Sequence, residues 1–185
     1  FHPRDLLPAI KGVTQDDMPG YLSLVPTQLV QCLDADEEVL EALRSLSAIL
    51  VGGAAISQHL LERALNAGLK VRITYGMTET SGGCVYDGEP MPGMTVRAVD
   101  WDGRTRLAFN GPTLMTRYLD AERPFFEEGG HRWLISGDMG VIRASGKVEV
   151  NGRADDVITS GGLSIAPGPL RRAVRSYEGI SDAWI

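Results

Sequence analysis

A threonine and a glutamate stand side by side in the stretch ITYGMTETSGG, which runs from Ile73 to Gly83. The first residues suit a buried strand, and the last ones suit a loop of small and hydroxyl side chains. A hydroxyl and a carboxylate at the mouth of a strand can face a ligand. Thr78 and Glu79 are therefore candidate ligand-binding residues, although a solvated polar turn would have the same composition.

The residues before this stretch predict a parallel sheet that positions it. SAILV indicates a buried strand, SQHLLERALNAG indicates a helix that begins after Ser57 and ends at Gly68, and KVRITY indicates a second strand. This strand–helix–strand order over residues 48–75 predicts two adjacent parallel strands. The turns GGAA and GMTET would then leave the carboxyl ends of neighbouring strands, the edge at which open α/β sheets bind ligands. We therefore predict that both turns face one crevice.

The residues after about position 94 change in character. MTVRAV, RTRLAFN, RWLISGD, GVIRA and KVEVNG indicate short strands between DG, NGP and SG turns, as in a small antiparallel barrel or sheet. NGRADDVITSGG is polar and could be a linker. PLRRAVRSYEG indicates a last helix, whose predicted apolar stripe is Leu170, Ala173, Val174 and Tyr177.

Three motifs, YGMTET, WLISGD and GRADDVI followed by GG and I-x-P, resemble those of adenylate-forming enzymes in their order and spacing. That superfamily comprises acyl- and aryl-CoA synthetases, peptide-synthetase adenylation domains and luciferases. The resemblance implies an α/β fold: the end of a large domain with a parallel βαβ sheet over 1–93, a small antiparallel β-subdomain over 94–154, and a hinge with the start of a small α+β C-terminal domain over 155–185.

The resemblance also implies a reaction and its cofactors. A carboxylate would attack the α-phosphate of ATP in the presence of Mg²⁺, and the thiol of coenzyme A, a co-substrate, would then displace AMP. Thr78 resembles the hydroxyl that binds the α-phosphate, Glu79 the carboxylate that binds Mg²⁺, and Arg153 the arginine that contacts ribose and phosphate. These three are the candidate catalytic residues. Asp138 resembles the aspartate that accepts both ribose hydroxyls, and the threonine usual in the family is Ser136 here.

Further positions take roles from the same resemblance. The predicted nucleotide contacts also include Gly52, Gly53, Ala54, Ala55, Tyr75, Gly76 and Met77, the predicted acid pocket includes Ser81, Gly82 and Gly83, and the predicted coenzyme A loop includes Gly161 and Gly162. Asp155 falls at the hinge about which the small domain turns. Each assignment has a plainer alternative: tight-turn glycines for Gly52 and Gly53, a core tyrosine for Tyr75, and a linker aspartate for Asp155.

The composition of the chain limits the classes of partner that we expect. The chain has 185 residues and a formal net charge of −6, which argues against nucleic acid or an anionic membrane as the main partner. No apolar run reaches the roughly 18 residues of a membrane span, and the first residues do not resemble a signal peptide. The only cysteines, Cys32 and Cys84, lack metal-ligand spacing, which favours a reducing, cytoplasmic compartment. We expect small-molecule partners, with a homodimer left open.

A narrower resemblance, carried by YLSLVPTQL, VGGAA and YGMTETSGGCVYDGEPMPG, is to the o-succinylbenzoyl-CoA synthetases of menaquinone biosynthesis. The alternatives are another aryl- or acyl-CoA synthetase, a peptide-synthetase adenylation domain, or a non-catalytic nucleotide-binding module. The family's glycine-rich phosphate loop and its C-terminal lysine have no counterpart here, since the only lysines are Lys11, Lys70 and Lys147. We therefore expect part of a longer ligase, inactive by itself.

Overall fold

A computed structural model describes residues 1–14, 18–119, 124–160, 163–175, 177, 180 and 183. Contacts divide the chain into two units, residues 1–75 and 76–185. Our predicted boundaries after residues 93 and 154 stay a prediction. Among the described residues, no helix is long and apolar enough to cross a membrane.

The first unit is a parallel sheet with helices. Its elements are a 3₁₀ turn at Pro3–Leu6, α1 (Leu7–Thr14), β1 (Tyr21–Leu24), α2 (Pro26–Leu33), α3 (Glu37–Ser45), β2 (Ala48–Val51), α4 (Gln58–Asn66) and β3 (Val71–Met77), which continues into the second unit. Strand β2 pairs in parallel with both β1 and β3. The predicted βαβ unit is therefore confirmed, whereas α1 was not predicted.

Helix boundaries in this unit follow their capping residues. The Asp36 side chain accepts from the backbone N–H of Val39 at the start of α3, and Ser57 accepts from that of Leu60 at the start of α4. These caps satisfy donors that the first helical turn would otherwise leave unpaired. The apolar faces of the helices pack with the strands into one core. Leu29, Val39 and Ile49 have no exposed surface in it.

The second unit is largely antiparallel. Its elements are a 3₁₀ turn at Thr78–Thr80, β4 (Gly82–Tyr86), β5 (Glu89–Pro90), β6 (Thr95–Trp101), β7 (Arg104–Asn110), β8 (Phe125–Glu128), β9 (His131–Ile142), β10 (Val148–Arg153), β11 (Ile158–Ser160), β12 (Leu163–Ile165) and α5 (Pro167–Arg175). Strands β10, β9, β7 and β6 form a sheet in that order, and β8 pairs with β9. The predicted α/β class, with a parallel and an antiparallel part, is confirmed.

Several predictions about this unit were wrong in detail. RWLISGD and GVIRA are one strand, β9, rather than two. The segment taken as a linker contains the end of β10 and then β11, which pairs with β12 in a hairpin. Gly82 and Gly83 belong to β4 rather than to a loop. Leu170 and Tyr177, from the predicted stripe of the last helix, are 44% and 70% exposed, and Tyr177 lies beyond the end of α5.

Candidate active site

The turn that carries Thr78 and Glu79 is held by a buried threonine. Thr80 is 1% exposed. Its hydroxyl accepts from the backbone N–H of Met77 at 3.0 Å and donates to the carbonyl of Gly82 at 2.8 Å. A Cβ on Gly76 would lie 1.9 Å from that same carbonyl oxygen, so only glycine allows this approach. The turn therefore leaves Thr78 exposed and Glu79 half-buried.

A second segment is fixed against this turn. Ser81, in a left-handed conformation with φ 57°, donates from its hydroxyl to the carbonyl of Thr113 at 2.9 Å. The N–H of Met115 donates to the main-chain carbonyl of Glu79 at 2.8 Å. Farther along, the Tyr118 hydroxyl donates to Oε1 of Glu79. That hydrogen bond, then burial and the carboxylate charge, raise the pKa of Tyr118 to about 12, while Arg153 opposes the rise.

Asp138 and Arg153 face each other across two strands. They are directly opposed in the register of β9 and β10, and Nη1 of Arg153 lies 3.9 Å from Oδ1 of Asp138. The Asp138 side chain is 14% exposed, so much of its charge is withdrawn from water. Arg153 also lies 3.5 Å from the exposed carboxylate of Asp155. The arginine thus bridges the predicted ribose-binding aspartate and the predicted hinge aspartate.

The backbone beside Asp138 explains this arrangement. A Cβ on Gly137 would lie 2.7 Å from Nη2 of Arg153, so the glycine makes room for the guanidinium. The hydroxyl of Ser136, which is 3% exposed, donates to the carbonyl of Leu107 at 2.8 Å and accepts from the N–H of Asp138 at 3.1 Å. Ser136 is therefore a structural group that holds the backbone of Asp138.

One cavity joins these residues within the second unit. Its volume is about 260 Å³, near the lower end of small-molecule sites, which run from roughly 300 to 1,000 Å³. The residues that line it are Met77, Glu79, Trp101, Arg106, Tyr118, Pro124, Leu134, Ile135, Ser136, Gly137 and Arg153. Trp101 supplies an aromatic surface, and Arg106 and Arg153 supply positive charge. The cavity therefore offers groups for a flat ring, an anion and a cation.

A larger cavity, of about 310 Å³, lies elsewhere in the same unit and contains none of the predicted site residues. Arg132, one of its charged lining residues, is already engaged: it donates to the carbonyls of Met115 and Thr116. Its guanidinium carbon also lies 3.5 Å from the centre of the Phe125 ring. We therefore place the candidate site in the smaller cavity, where the predicted chemical groups converge.

The donor set of this cavity fits a single hard cation bound with phosphate. Within the described ranges, no group of three or more His, Cys, Asp or Glu residues could form a complete metal cage. Mg²⁺ is commonly bound by one or two carboxylates together with substrate phosphates and water. Glu79 supplies one such carboxylate, and the exposed Thr78 hydroxyl adjoins it.

Several predicted site residues are not among those that line this cavity. Gly52–Ala55 and Tyr75 belong to the first unit, where a Cβ on Gly52 would lie 2.3 Å from the hydroxyl oxygen of Thr74. Residues 53–55 are exposed there. Gly161 and Gly162 lie outside the described residues. The roles predicted for these positions, for Ser81, Gly82 and Gly83, and for the Asp155 hinge stay predictions, as does the crevice shared by the GGAA and GMTET turns.

Comparison with known proteins identifies the family. The family model described as "AMP-binding enzyme" matches residues 1–119. The chain belongs to the AMP-binding enzyme family. The family's solved folds agree with this: an o-succinylbenzoate CoA synthetase from Bacillus subtilis, solved in complex with an acyl-adenylate intermediate, aligns with a TM-score of 0.77 at 25% identity, covering 98% of this chain and 40% of that one.

Two curated members of the AMP-binding family are also similar. A probable 2-succinylbenzoate–CoA ligase of Mycobacterium tuberculosis is 39% identical over 169 residues, which is 89% of this chain and 42% of that protein. A 2-succinylbenzoate–CoA ligase of Staphylococcus epidermidis is 32% identical, over 99% of this chain and 40% of that protein. The chain thus spans about two fifths of the length of these relatives.

Proposed function

We propose that this chain is part of an ATP-dependent acid–thiol ligase that adenylates o-succinylbenzoate and transfers it to coenzyme A. The observation that carries the proposal is the 39% identity with the mycobacterial 2-succinylbenzoate–CoA ligase over 89% of the chain. The convergence of Glu79, Tyr118 and Arg153 on one cavity, with Asp138 opposite Arg153, supports it.

In this proposal four residues have defined tasks: Glu79 and Arg153, which line the cavity, and Thr78 and Asp138, which are next to them in the sequence or across the strand pair. Asp138 accepts from the ribose hydroxyls, and Arg153 donates to ribose or phosphate oxygens. Thr78 donates to the α-phosphate, and Glu79 holds Mg²⁺. When bound, the cation supplies positive charge that offsets the negative charge of the phosphates. A largely buried Asp138 suits its task because hydrogen bonds to charged groups are worth about 1.5–3 kcal/mol.

The remaining assignments extend the same proposal. Gly52–Ala55 and Tyr75 would contact the nucleotide base, Ser81, Gly82 and Gly83 would border the aromatic acid, and Gly161 and Gly162 would approach coenzyme A. Asp155 would be the hinge. A solved o-succinylbenzoate coenzyme A synthetase in complex with ATP and magnesium supports the choice of cofactors. We further propose small-molecule substrates as the main partners and the cytoplasm as the compartment, and leave a homodimer open.

A second candidate is another acyl-CoA ligase of the same family. A long-chain-fatty-acid–CoA ligase of Mycobacterium bovis is 31% identical over 75% of this chain and 24% of its own length. Such an enzyme would share the nucleotide groups described above and differ in the acid pocket. The discriminating observation is therefore acid preference rather than nucleotide binding.

Calorimetric titration with non-hydrolysable acyl-adenylate mimics tests both candidates. The o-succinylbenzoyl mimic is compared with its benzoyl and acetyl analogues. Preference for the o-succinylbenzoyl compound by more than about 1.4 kcal/mol, tenfold in affinity, supports the proposed acid. Equal binding of all three supports the family reaction with another acid. Failure to bind any of the three, by protein that is folded by circular dichroism, would contradict the nucleotide site.

A further inference from the structure

The carboxylate of Glu79 is contacted by a tyrosine that no sequence motif identified. The Tyr118 hydroxyl donates to Oε1 of Glu79, and both side chains line the same cavity. Two hydrogen bonds hold the segment just before Tyr118: the Ser81 hydroxyl donates to the Thr113 carbonyl, and the Met115 N–H donates to the Glu79 carbonyl. The contact is therefore the last of three successive hydrogen bonds between one segment and one turn.

The chemistry of the pair indicates a persistent donor. A hydroxyl that donates to a carboxylate forms a short, charge-assisted hydrogen bond. Because a phenol hydroxyl ordinarily ionises only near pH 10, the Tyr118 hydroxyl acts as the donor in this hydrogen bond at physiological pH. The Tyr118 hydroxyl donates to Oε1, one of the two carboxylate oxygens of Glu79. The second carboxylate oxygen is Oε2.

We propose that Tyr118 is a positioning residue for Glu79: its hydroxyl fixes the orientation of the carboxylate and leaves Oε2 to the divalent cation. This inference rests on the proposed function, in which Glu79 binds Mg²⁺. Outer groups that hydrogen-bond metal ligands commonly change metal affinity by roughly 10- to 100-fold when they are removed. The opposite possibility is that Tyr118 competes with the cation for Glu79, in which case its removal would strengthen cation binding.

The test measures ATP binding by calorimetry, with saturating Mg²⁺ and with chelator, in the polypeptide as its gene encodes it. The ratio of the two affinities is the cation enhancement. We expect Tyr118→Phe, which removes only the hydroxyl, to reduce this enhancement by about tenfold. The matched control is Tyr21→Phe, the same change at a tyrosine that is 63% exposed in β1; it should leave the enhancement unchanged. Thermal unfolding of each variant verifies the fold.

A second readout separates positioning from a structural role. The affinity for ATP in chelator should be the same in Tyr118→Phe as in the unsubstituted protein, because only the cation-dependent part of binding involves Glu79 in this proposal. A purely structural role of Tyr118 would lower the affinities with and without Mg²⁺ together and leave their ratio unchanged.

The outcomes separate the inference from the proposed function. A reduced enhancement in Tyr118→Phe but not in Tyr21→Phe, with an unchanged affinity for ATP in chelator, supports the inference. Unchanged or increased enhancement in Tyr118→Phe overturns it, as does ATP binding by the unsubstituted protein that is independent of Mg²⁺; the proposed nucleotide site would survive these results. Absence of ATP binding under either condition overturns both.

Discussion

At the scale of single residues, the carboxylate of Glu79 and the hydroxyl of Tyr118 meet in one cavity and share a hydrogen bond. Glu79 could be selected from the sequence because a carboxylate beside small residues at a strand end is a chemical signal, and Asp138 because its motif resembles that of a family. Tyr118 could not, since 39 residues separate it from Glu79 and no local pattern links them. The structural role of Thr80 was also not predicted, because the sequence does not distinguish a buried hydroxyl that hydrogen-bonds within a turn from one that faces a ligand.

Asp138→Asn tests the ribose-binding role with almost no change in side-chain volume. The substitution replaces a charged acceptor by a neutral one, and hydrogen bonds to charged groups are worth about 1.5–3 kcal/mol. We expect the affinity for AMP or an adenylate mimic to fall about 10- to 100-fold in calorimetric titration. Asp100→Asn, at an exposed carboxylate in β6, is the control. If the two substitutions lowered the affinity equally, Asp138 would not be a ribose-binding residue.

Thr80→Val tests whether the turn at Thr78–Thr80 depends on one buried hydroxyl. Valine keeps the shape but leaves the N–H of Met77 without its acceptor, and an unsatisfied buried group costs about 1–3 kcal/mol. We expect the free energy of unfolding in urea to fall by that amount. Thr80→Ser keeps the hydroxyl and should lose less. If serine were costly and valine were not, the methyl packing of Thr80 would matter and its hydrogen bonds would not.

At the scale of elements, the helix and the parallel strands of the first unit were predicted well from the sequence, whereas the extent of a glycine-containing strand was not. Periodicity and caps were sufficient for α4 and the parallel pair β2–β3. Strand β9 was predicted as two strands, RWLISGD and GVIRA, with the break beside Gly140. In the fold this glycine marks close approach instead: a Cβ on Gly140 would lie 2.5 Å from the carbonyl oxygen of Glu149 on the paired strand. Distinguishing these uses of glycine requires knowledge of the neighbouring strand.

The cap of α4 gives a prediction at this scale. Ser57 accepts from the N–H of Leu60 at 3.2 Å, and Ser57→Ala should lower the free energy of unfolding by about 1 kcal/mol. Ser57→Asp restores an acceptor at the same position and should recover most of the loss. Chemical denaturation followed by circular dichroism measures both. Failure of aspartate to recover stability would show that the serine acts otherwise than as a cap.

The cap of α3 predicts a pH dependence. The guanidinium of Arg4, which donates to Asp36, and the N–H of Val39 hold the pKa of that carboxyl below its ordinary value. A lowered folded-state pKa means that the charged form stabilises the fold above the unfolded pKa, near 4, and that this contribution is lost as the pH falls through the folded value. Asp36→Asn keeps a capping oxygen but removes the charge.

We therefore expect the stability difference between the Asp36→Asn variant and the unsubstituted chain to be constant above about pH 5 and to shrink below pH 4. Unfolding free energies measured across this range check the expectation. Arg4→Met removes the main cause of the lowered pKa, so in that background the effect of Asp36→Asn on stability should depend less on pH. A difference that grew on acidification would reverse the assigned sign.

At the scale of the whole molecule, binding and turnover are separable properties of this 185-residue chain. The groups proposed to bind the adenylate, including Thr78, Asp138 and Arg153, are all present. The family resemblance assigns completion of adenylation to a lysine beyond the hinge, and Lys147 is the last lysine of this sequence, before Asp155. Removal of one preorganised electrostatic group commonly costs roughly 10²–10³ in rate.

We therefore expect the 185-residue chain, produced by itself, to bind an adenylate mimic but to release pyrophosphate far below typical enzyme rates of roughly 1–10³ s⁻¹. A coupled pyrophosphate assay with o-succinylbenzoate, ATP and Mg²⁺ measures turnover, and calorimetry on the same sample shows that the site is folded. Mimic binding without turnover would locate the deficit in the chemistry rather than in the site. Turnover within the ordinary range would mean that a residue of this chain performs the task assigned to the lysine. Arg106 lines the cavity together with Arg153 and is also cationic, so Arg106 would be the first residue to mutate.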